Sequence, residues 1–418
     1  MIKNLVQFII LTFNMMLLGQ GIDKNPISIT PEFLLGITGE ANSNFPNRKA
    51  QKQVFINLGW HNENKNQEWV SILKNPKTGL SLGYADLGNK NELGSIFTFE
   101  PFIELDLIKS KKLKLHIGKG ISYATRKYNP ITNQNNKAVS TDFTWSFRMF
   151  IYYKLLSLKN SNYRLGIGYN HNSNGHLKLP NQGFNSLLVS LGTELICTEN
   201  LDKYSKPKNI INKSKYKYSS FRFGFGQHVL SESFNTTKDV ITISGEYGKV
   251  YNNTFKFGIG TFIRFYESYY DYISNNESLV QDGREFAELK KNTFTNALNI
   301  GITFKSEVIL NHIGIDVQFG INIYKPAYKI DWRINQGWGH VPQEIPENGG
   351  HFRLGDINET YYRIKHIISA RLGLKYYIKA TSKKPKHNFY IGTFINSNLG
   401  QADFSEIAIG YTRKLKHK

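Results

Sequence analysis

The chain has 418 residues and carries 53 Lys+Arg against 32 Asp+Glu, so its formal net charge is +21. Hydrophobic residues make up 40 % and aromatic residues 14 %, which excludes a disordered chain, because disordered segments lack the apolar surface that offsets ordering entropy. The one cysteine, Cys197, excludes an internal disulfide framework and a multi-cysteine zinc site. Cys197 lies at the end of a predicted strand and no adjacent base is evident, so we interpret it as a small packed side chain rather than a nucleophile.

The positive charge is compatible with nucleic acid, an anionic membrane or an acidic substrate. Lysine and asparagine are frequent along the whole chain rather than gathered in one patch. The sequence contains no RNA-recognition motif, zinc finger or basic helix, so we predict no nucleic-acid partner.

Residues 1–21 have the features of a secretory signal peptide. Lys3 supplies a positive charge, Leu5–Leu18 is largely apolar, and Gly19 and Gly21 follow as small residues. Cleavage is therefore expected near Gly19–Asp23. No later segment approaches the run of about 20 apolar residues that a membrane helix requires. The mature chain is thus predicted to be exported, either as a soluble protein or as one that crosses a membrane with strands.

The next segments alternate apolar and polar residues, as strands do when successive side chains point to opposite faces. In Asp142–Tyr153 the apolar set and the polar set occupy alternate positions. The apolar set is Phe143, Trp145, Phe147, Met149 and Ile151, and the polar set is Asp142, Thr144, Ser146 and Arg148. Lys256–Phe265 and Ser220–Gly226 repeat this pattern, with glycines on the polar side.

About sixteen such segments can be recognised, and many have the length of a tilted membrane strand. They begin near Glu32, Gln53, Gly79, Gly94, Lys112, Thr141, Tyr163, Gly183, Tyr218, Asp239, Thr254, Phe294, Asn311, Arg363, Asn388 and Asp403.

Two all-β architectures fit this pattern: a soluble sandwich, and a barrel with its apolar side facing lipid. Glycine at every second position would weaken an exposed sandwich strand, whereas it suits a crowded barrel lumen. If the first strand ascends from the periplasm, the two longest connections, Glu267–Lys291 and Pro326–Tyr362, lie outside. We therefore predict a transmembrane antiparallel β-barrel of about 12–16 strands over residues 22–418. His61–Thr78 and Thr198–Lys217 are long for inner turns.

Motifs for cofactors and metals are weak. Gly-x-Gly pairs such as Gly166/Gly168 do not open a helix after a strand, so they are not nucleotide loops. The outer loop near residues 337–351 contains two histidines and two glutamates, without a recognised metal-ligand spacing. These are His340, Glu344, His351 and Glu347. We predict no metal and no cofactor.

Tyr163–Val189 is the most informative segment. Alternation places His171, Ser173 and Asn185 on the lipid-facing side, at the outer ends of two paired strands. His171 and Ser173 lie two residues apart on one strand face. The imidazole could therefore reach the hydroxyl and act as the base of a nucleophile–base pair. The alternative is a strand that has left the bilayer and ends in an ordinary turn.

The same segment resembles a known family. His171-Asn172-Ser173-Asn174 followed by Pro180-Asn181-Gln182-Gly183 is similar to the signature of the outer-membrane lipid A 3-O-deacylases, also named acyloxyacyl hydrolases. Upstream segments, including Asn75-Pro76-Lys77-Thr78-Gly79 and Gly118-Lys119-Gly120-Ile121-Ser122-Tyr123, resemble the long-chain branch of that family. The resemblance covers about residues 69–195.

The resemblance implies an outer-membrane esterase that removes a fatty acyl chain from lipid A of lipopolysaccharide. It implies that Ser173 is the nucleophile and His171 the general base. It further implies an oxyanion site made by Asn174, Asn181 and backbone N–H groups near Gly175 and His176. Asn185 departs from the family's first-described members, which have Glu there. An amide oxygen can orient a histidine but adds no charge.

A non-catalytic outer-membrane barrel, such as a pore or a surface-binding protein, is the alternative function. The polar lumen face and the strands beyond residue 200 favour it. Asn396-Ser397-Asn398 with Ser405-Glu406 echoes the motif, but Ile395 replaces the histidine, so we interpret the echo as chance.

Overall fold

The computed structural model describes residues 26–62, 67–197, 214–335 and 360–415. Sixteen strands are found in these ranges. The first eight are β1 Ile27–Thr38, β2 Gln51–His61, β3 Lys77–Asp86, β4 Ser95–Asp106, β5 Leu113–Ala124, β6 Phe143–Leu158, β7 Ser161–Ser173 and β8 Phe184–Cys197. The others are β9 Lys215–His228, β10 Lys238–Tyr251, β11 Phe255–Tyr266, β12 Leu298–Leu310, β13 Ile313–Tyr324, β14 Ile368–Tyr377, β15 His387–Asn398 and β16 Gln401–Lys414.

Short helices lie in the connections. They are α1 Glu68–Ile72, α2 Glu267–Ser274, α3 Thr293–Asn296, α4 Tyr328–Asn335 and α5 Thr360–Ile367, with 3₁₀ turns at Ala287–Asn292 and Thr381–Lys383. In the described ranges, no helix is both long and apolar enough to cross a membrane.

The strands form two closed antiparallel barrels rather than one. Strands β1–β8 close the first barrel, where Leu35 pairs with Val189, and β9–β16 close the second, where Phe223 pairs with Ile409. The predicted all-β antiparallel barrel fold is confirmed, and sixteen strands lie within the predicted number. The expected single barrel over residues 22–418 is corrected to two, because alternation along a strand does not record which distant strand closes the sheet.

Each predicted strand begins within five residues of an observed one. The largest displacements include the two predicted starts at Phe294 and Arg363, which fall in α3 and α5 just before β12 and β14. The long inner connection around Thr198–Lys217 is explained by topology, since it carries the chain from the first barrel to the second. The other one, His61–Thr78, contains α1.

The connections of the second barrel differ in length between its two ends. The even-to-odd connections include the tight turn at Asn252-Asn253, whereas α2 and α3 lie between β11 and β12, and α4 and α5 lie between β13 and β14. Long connections at one end and short ones at the other agree with outer loops and inner turns of a membrane barrel.

Buried ion pairs fill the lumen of the first barrel. Glu32 accepts hydrogen bonds from Arg148 at 2.8 Å and from Arg164 at 2.6 Å. Arg164 also pairs with Glu104 at 2.8 Å, which Lys77 approaches to 2.8 Å. All five side chains are buried, so the inward polar face predicted from alternation is confirmed. An eight-stranded barrel is just wide enough for its own side chains to fill.

The second barrel is filled in the same way. Asp316 pairs with Arg371 at 2.9 Å and with Lys375 at 2.8 Å, and Lys375 also pairs with Glu307 at 2.8 Å. These four side chains are all buried. Charges paired in this way satisfy one another inside a closed sheet.

Lumen glycines make room for large inward side chains. A Cβ at Gly166 would lie 2.5 Å from the ring of Tyr152, and one at Gly168 would collide with the ring of Phe150. Both rings are fully buried. The Gly-x-Gly pair on β7 is therefore a packing feature of the lumen.

The outer faces of the barrels are apolar, and part of each meets the other barrel. Ile259 and Ile409 are 64 % and 61 % exposed, as expected for lipid-facing positions. Lys119 also points outward on β5, yet it is only 8 % exposed, because its Nζ donates a hydrogen bond to Leu372 O of the second barrel at 3.2 Å. The two barrels therefore pack side by side.

We expect Ile259→Arg to lower the free energy of unfolding by about 2–4 kcal/mol, because it places a charge at mid-depth on the lipid-facing side. Phe255→Arg is the matched control, since Phe255 shares that face but begins the strand at its inner end. Its cost should be about 0–1 kcal/mol. Denaturant unfolding in lipid vesicles measures both, and equal costs would contradict the assigned depth.

Several predicted features lie outside the described residues. These are the signal peptide at residues 1–21 and the loop residues His340, Glu344, Glu347 and His351. In the described ranges, no group of three or more His, Cys, Asp or Glu side chains is arranged to hold a metal ion.

Candidate active site

The candidate site lies at the outer end of the first barrel, where β7 ends and β8 begins. His171 is the direct cross-strand partner of Asn185, and Ser173 is the last residue of β7. All three share the outward face because they have the same parity along their strands. The structure therefore brings together the three residues that the sequence predicted as neighbours.

A continuous chain of hydrogen bonds joins these side chains. His171 Nε2 lies 2.9 Å from Ser173 Oγ, and His171 Nδ1 lies 2.8 Å from Asn185 Oδ1. An amide oxygen only accepts hydrogen bonds, so the imidazole proton must be on Nδ1. Nε2 is then free to accept the hydroxyl proton of Ser173. This is the arrangement that a nucleophile and its base require.

The orientation of the Asn185 amide is fixed by four contacts. Its Oδ1 accepts from His171 and also from the hydroxyl of Tyr169 at 2.5 Å. Its Nδ2 faces the backbone oxygens of Gly183 at 3.3 Å and Gln182 at 3.4 Å. Reversing the amide would place its oxygen against two carbonyl oxygens. Asn185 therefore presents its oxygen to the imidazole.

Asn174 and Asn181 shape the loop that follows Ser173. Asn174 Oδ1 accepts from the N–H groups of His176 at 3.0 Å and Leu177 at 3.2 Å, and Asn174 Nδ2 donates to Lys178 O at 2.7 Å. Asn181 Oδ1 accepts from the backbone N–H of Asn174 at 2.8 Å. Both side chains hold the loop beside the serine.

These contacts divide the predicted oxyanion donors into groups that already have a hydrogen-bond acceptor and groups that do not. The His176 N–H and the Asn174 side-chain N–H group already have protein acceptors. In the described part of the chain, no protein acceptor contacts the Gly175 N–H or the Asn181 Nδ2. Among the predicted donors, these two groups therefore have no competing acceptor in the described residues.

Tyr169 and Gly183 also shape the site, although sequence reasoning gave them no such function. Tyr169 lies two residues before His171 on β7, and its hydroxyl reaches Asn185. Gly183 adopts φ +78°, and its N–H donates to Ala138 O at 2.8 Å. A Cβ at Gly183 would lie 2.6 Å from His171 Cε1, so only glycine leaves room for the imidazole.

We therefore expect Gly183→Ala to lower the turnover of the site roughly 10-fold, by displacing the His171 ring. It should also lower the free energy of unfolding by about 1–2 kcal/mol through its left-handed backbone. Gly400→Ala is the matched control, because Gly400 has φ +84° in the corresponding turn of the second barrel and nothing within 4 Å of its Cβ position. Similar losses of turnover in both variants would show that backbone strain alone is responsible.

A comparison with protein families matches residues 53–194 to the lipid A 3-O-deacylase (PagL) family. The match spans most of the first barrel, including the serine, the histidine and the asparagine. This barrel is PagL-like. The predicted family resemblance is confirmed, and the protein is an outer-membrane β-barrel protein. No curated protein matches the chain.

Comparison with solved structures finds likenesses with low identity and low TM-scores. The outer-membrane enzyme PagL has 17 % identity and a TM-score of 0.29, covering 39 % of this chain and 97 % of its own. OccK2 (OpdF) of Pseudomonas aeruginosa has 9 % identity and a TM-score of 0.19, covering 95 % of this chain and 100 % of its own. A designed transmembrane barrel has 11 % identity and a TM-score of 0.22, covering 42 % of this chain and 100 % of its own.

Proposed function

We propose that the PagL-like barrel is an esterase that hydrolyses a fatty acyl ester of lipid A in the outer membrane. The observation that carries this proposal is the hydrogen-bond chain from Ser173 through His171 to Asn185. It lies inside the segment that matches a family of lipid A 3-O-deacylases. Ester hydrolysis by a serine requires this order of hydroxyl, base and orienting group.

The reaction follows from the positions of the hydrogens. Ser173 Oγ attacks the ester carbonyl carbon while its proton passes to His171 Nε2. The tetrahedral intermediate then collapses, and the departing sugar oxygen takes that proton from His171. Water attacks the resulting acyl-serine and loses a proton to His171. As this second intermediate collapses, Ser173 Oγ leaves and takes that proton from His171 Nε2, which releases the fatty acid and restores Ser173. Asn185 holds the imidazole in place through both steps.

The oxyanion of the intermediate needs donors placed beforehand. We assign this task to the Gly175 N–H and to Asn181 Nδ2, two predicted donors for which the described residues provide no acceptor. Asn174 contributes indirectly, because it holds the turn that contains Gly175. Donors fixed in this way are worth several kcal/mol to the transition state, about 3–4 kcal/mol for one donor in well-studied cases.

The surroundings of the site suit an anionic lipid. Below Asn185, the outer wall of β8 and β1 is apolar and exposed, where a fatty acyl chain can lie. It comprises Leu187, Val189, Leu191, Ile37, Leu35 and Phe33. The outer loops of the same barrel carry basic side chains that can meet lipid A phosphates. These are Lys49, Arg126, Lys137 and Lys178.

Of the two non-catalytic alternatives, a pore and a surface-binding protein, the pore is disfavoured by the packed lumens. Arg148 and Arg164 lie inside the first barrel and Arg371 inside the second, all buried and ion-paired.

Two measurements on the same purified protein separate the functions: ion conductance across a planar bilayer, and the acyl content of lipid A by mass spectrometry. We expect negligible conductance and the loss of one acyl chain. Steady conductance with intact lipid A would support the pore.

A further inference from the structure

The loop that follows Ser173, residues 174–183, is held by side chains of the second barrel. Asn235 lies between β9 and β10, and its amide makes a reciprocal pair with the backbone of Leu179. Asn235 Oδ1 accepts from Leu179 N at 3.0 Å, and Asn235 Nδ2 donates to Leu179 O at 2.6 Å. Thr237 donates from its hydroxyl to Leu177 O at 3.0 Å. The backbone of Leu177 and Leu179 is therefore bound from outside its own barrel.

A second contact reaches the residue that carries the proposed oxyanion N–H. Ser405, on β16, donates from its hydroxyl to Gly175 O at 3.1 Å and accepts from Trp145 Nε1 at 3.0 Å. Trp145 is the cross-strand partner of Ser173 on β6. A Cβ at Gly175 would collide with Ser405 Oγ, so the two barrels approach each other through a glycine. Ser405 thus contacts the cross-strand partner of Ser173 and the residue two positions after it.

The third contact is aromatic. The ring of His176 stacks on that of His228, at the end of β9, with 5.3 Å between the ring centres. His228 is fully buried, and its Nδ1 shares a hydrogen bond with Ser268 Oγ at 2.8 Å. The His228 ring is therefore itself held in place. The loop is therefore packed against a rigid part of the second barrel.

The second barrel also carries a counterpart of the site. In strand order, β15 and β16 correspond to β7 and β8. Ile395 pairs with Ser405 where the first barrel pairs His171 with Asn185. Asn396-Ser397-Asn398 then matches Asn172-Ser173-Asn174, so the echo of the motif lies at the equivalent place in the fold, and our interpretation of it as chance needs correction. The long loop is absent, because only residues 399 and 400 separate β15 from β16.

We propose that the second barrel is a catalytically silent counterpart of the first, whose Asn235 and Ser405 position the oxyanion loop of the active barrel. This rests on the proposed esterase function. The counterpart keeps Ser397 but has Ile395 instead of a base, so it has no means to activate that serine. Ser405 occupies the place that corresponds to Asn185, and its hydroxyl binds the neighbouring barrel instead. Asn235 and Ser405 are positioning residues, since they act through the backbone of the loop.

Spectroscopy tests this positioning independently of turnover. Cys197 is the only cysteine, so a Cys197→Ser, Lys178→Cys parent carries one nitroxide label on the loop. Lys178 is exposed, and it contacts Asn174 through its backbone oxygen rather than through its side chain. In vesicles, we expect an immobile label in the parent and a mobile one after Asn235→Ala or Ser405→Ala. Ser405→Thr, which keeps the hydroxyl, should restore the immobile spectrum.

Turnover of lipid A is measured on the same variants without the label. We expect Asn235→Ala and Ser405→Ala each to lower kcat about 10-fold with KM changed less than twofold, and Ser405→Thr to keep kcat near the wild-type value. Ser397→Ala is the matched control, a serine on the same barrel without contact to the loop, and should match wild type.

Unchanged label mobility and unchanged kcat in both alanine variants would overturn the positioning by the second barrel. A loss of kcat in Ser397→Ala equal to that in Ser405→Ala would overturn the silence of the counterpart. If wild type releases no acyl chain while the label spectra change as expected, the esterase proposal fails and the contact between barrel and loop stands.

Discussion

Ser173→Ala and His171→Ala are each expected to lower the rate of lipid A deacylation by about 10⁴-fold or more, while the protein remains folded. Ser173 provides the attacking oxygen, and His171 Nε2, 2.9 Å away, is positioned to take its proton. Neither side chain holds the barrel together, because both lie on the outward face at the end of a strand. Rates are measured by release of fatty acid from lipopolysaccharide in detergent micelles.

The double variant sharpens this expectation. A nucleophile and its base act as one unit, so Ser173→Ala with His171→Ala should be no slower than either single variant. Thermal unfolding of each variant provides the control for folding. If Ser173→Ala retains full activity, the nucleophile has been assigned incorrectly.

Asn185→Ala should lower kcat roughly 10²-fold with little effect on stability, because the imidazole loses the acceptor that fixes its tautomer. Asn185 lies beside His171 across the strand pair and receives hydrogen bonds from His171 and Tyr169. The measurement is kcat for lipid A on wild type and variant, with circular dichroism as the folding control. An Ala variant as active as wild type would rule out the orienting function.

Acidic substitutions at the same position distinguish geometry from charge. In Asn185→Asp, the second carboxylate oxygen would replace Nδ2 and face the carbonyl oxygens of Gln182 and Gly183 at about the same distances. Because these oxygens repel one another, we expect activity no higher than in the Ala variant. Glu is one methylene longer and can turn that oxygen away, and its charge stabilises the imidazolium. Asn185→Glu should keep or raise activity. Three inactive proteins, wild type included, would indicate a site without function.

The sequence predicted the strands well because their information is local. Period-2 alternation identified every strand of the described residues, and parity alone placed His171, Ser173 and Asn185 on one outward face. These predictions succeed because a strand fixes the face of each side chain without reference to distant residues. The inward direction of Arg148 followed in the same way.

Closure of the sheet into two barrels could not be read from alternation. The pairing of Leu35 with Val189 joins residues far apart in sequence, and nothing in either strand specifies its partner. The long connection around Thr198–Lys217 was the sequence feature that could have indicated a second barrel. A connection between two barrels can be long, whereas an inner turn of one barrel is short. We had expected it to be an inner turn of a single barrel.

Site residues that act through tertiary contacts were also missed. Tyr169 and Gly183 matter because of how closely they approach Asn185 and His171, and no spacing rule describes this. Asn235 and Ser405 belong to a different barrel from the loop that they hold. Their contribution depends on the side-by-side packing of the two barrels, which no local sequence pattern specifies.

The most direct test of the esterase function is the mass spectrum of lipid A from three strains of one host: cells without the gene, cells with the wild-type gene, and cells with Ser173→Ala expressed at the same level. We predict that only the wild-type gene yields lipid A lighter by one acyl chain. Identical spectra from all three strains, or the same loss of an acyl chain with Ser173→Ala, would contradict the assignment of this barrel as a serine-dependent lipid A deacylase.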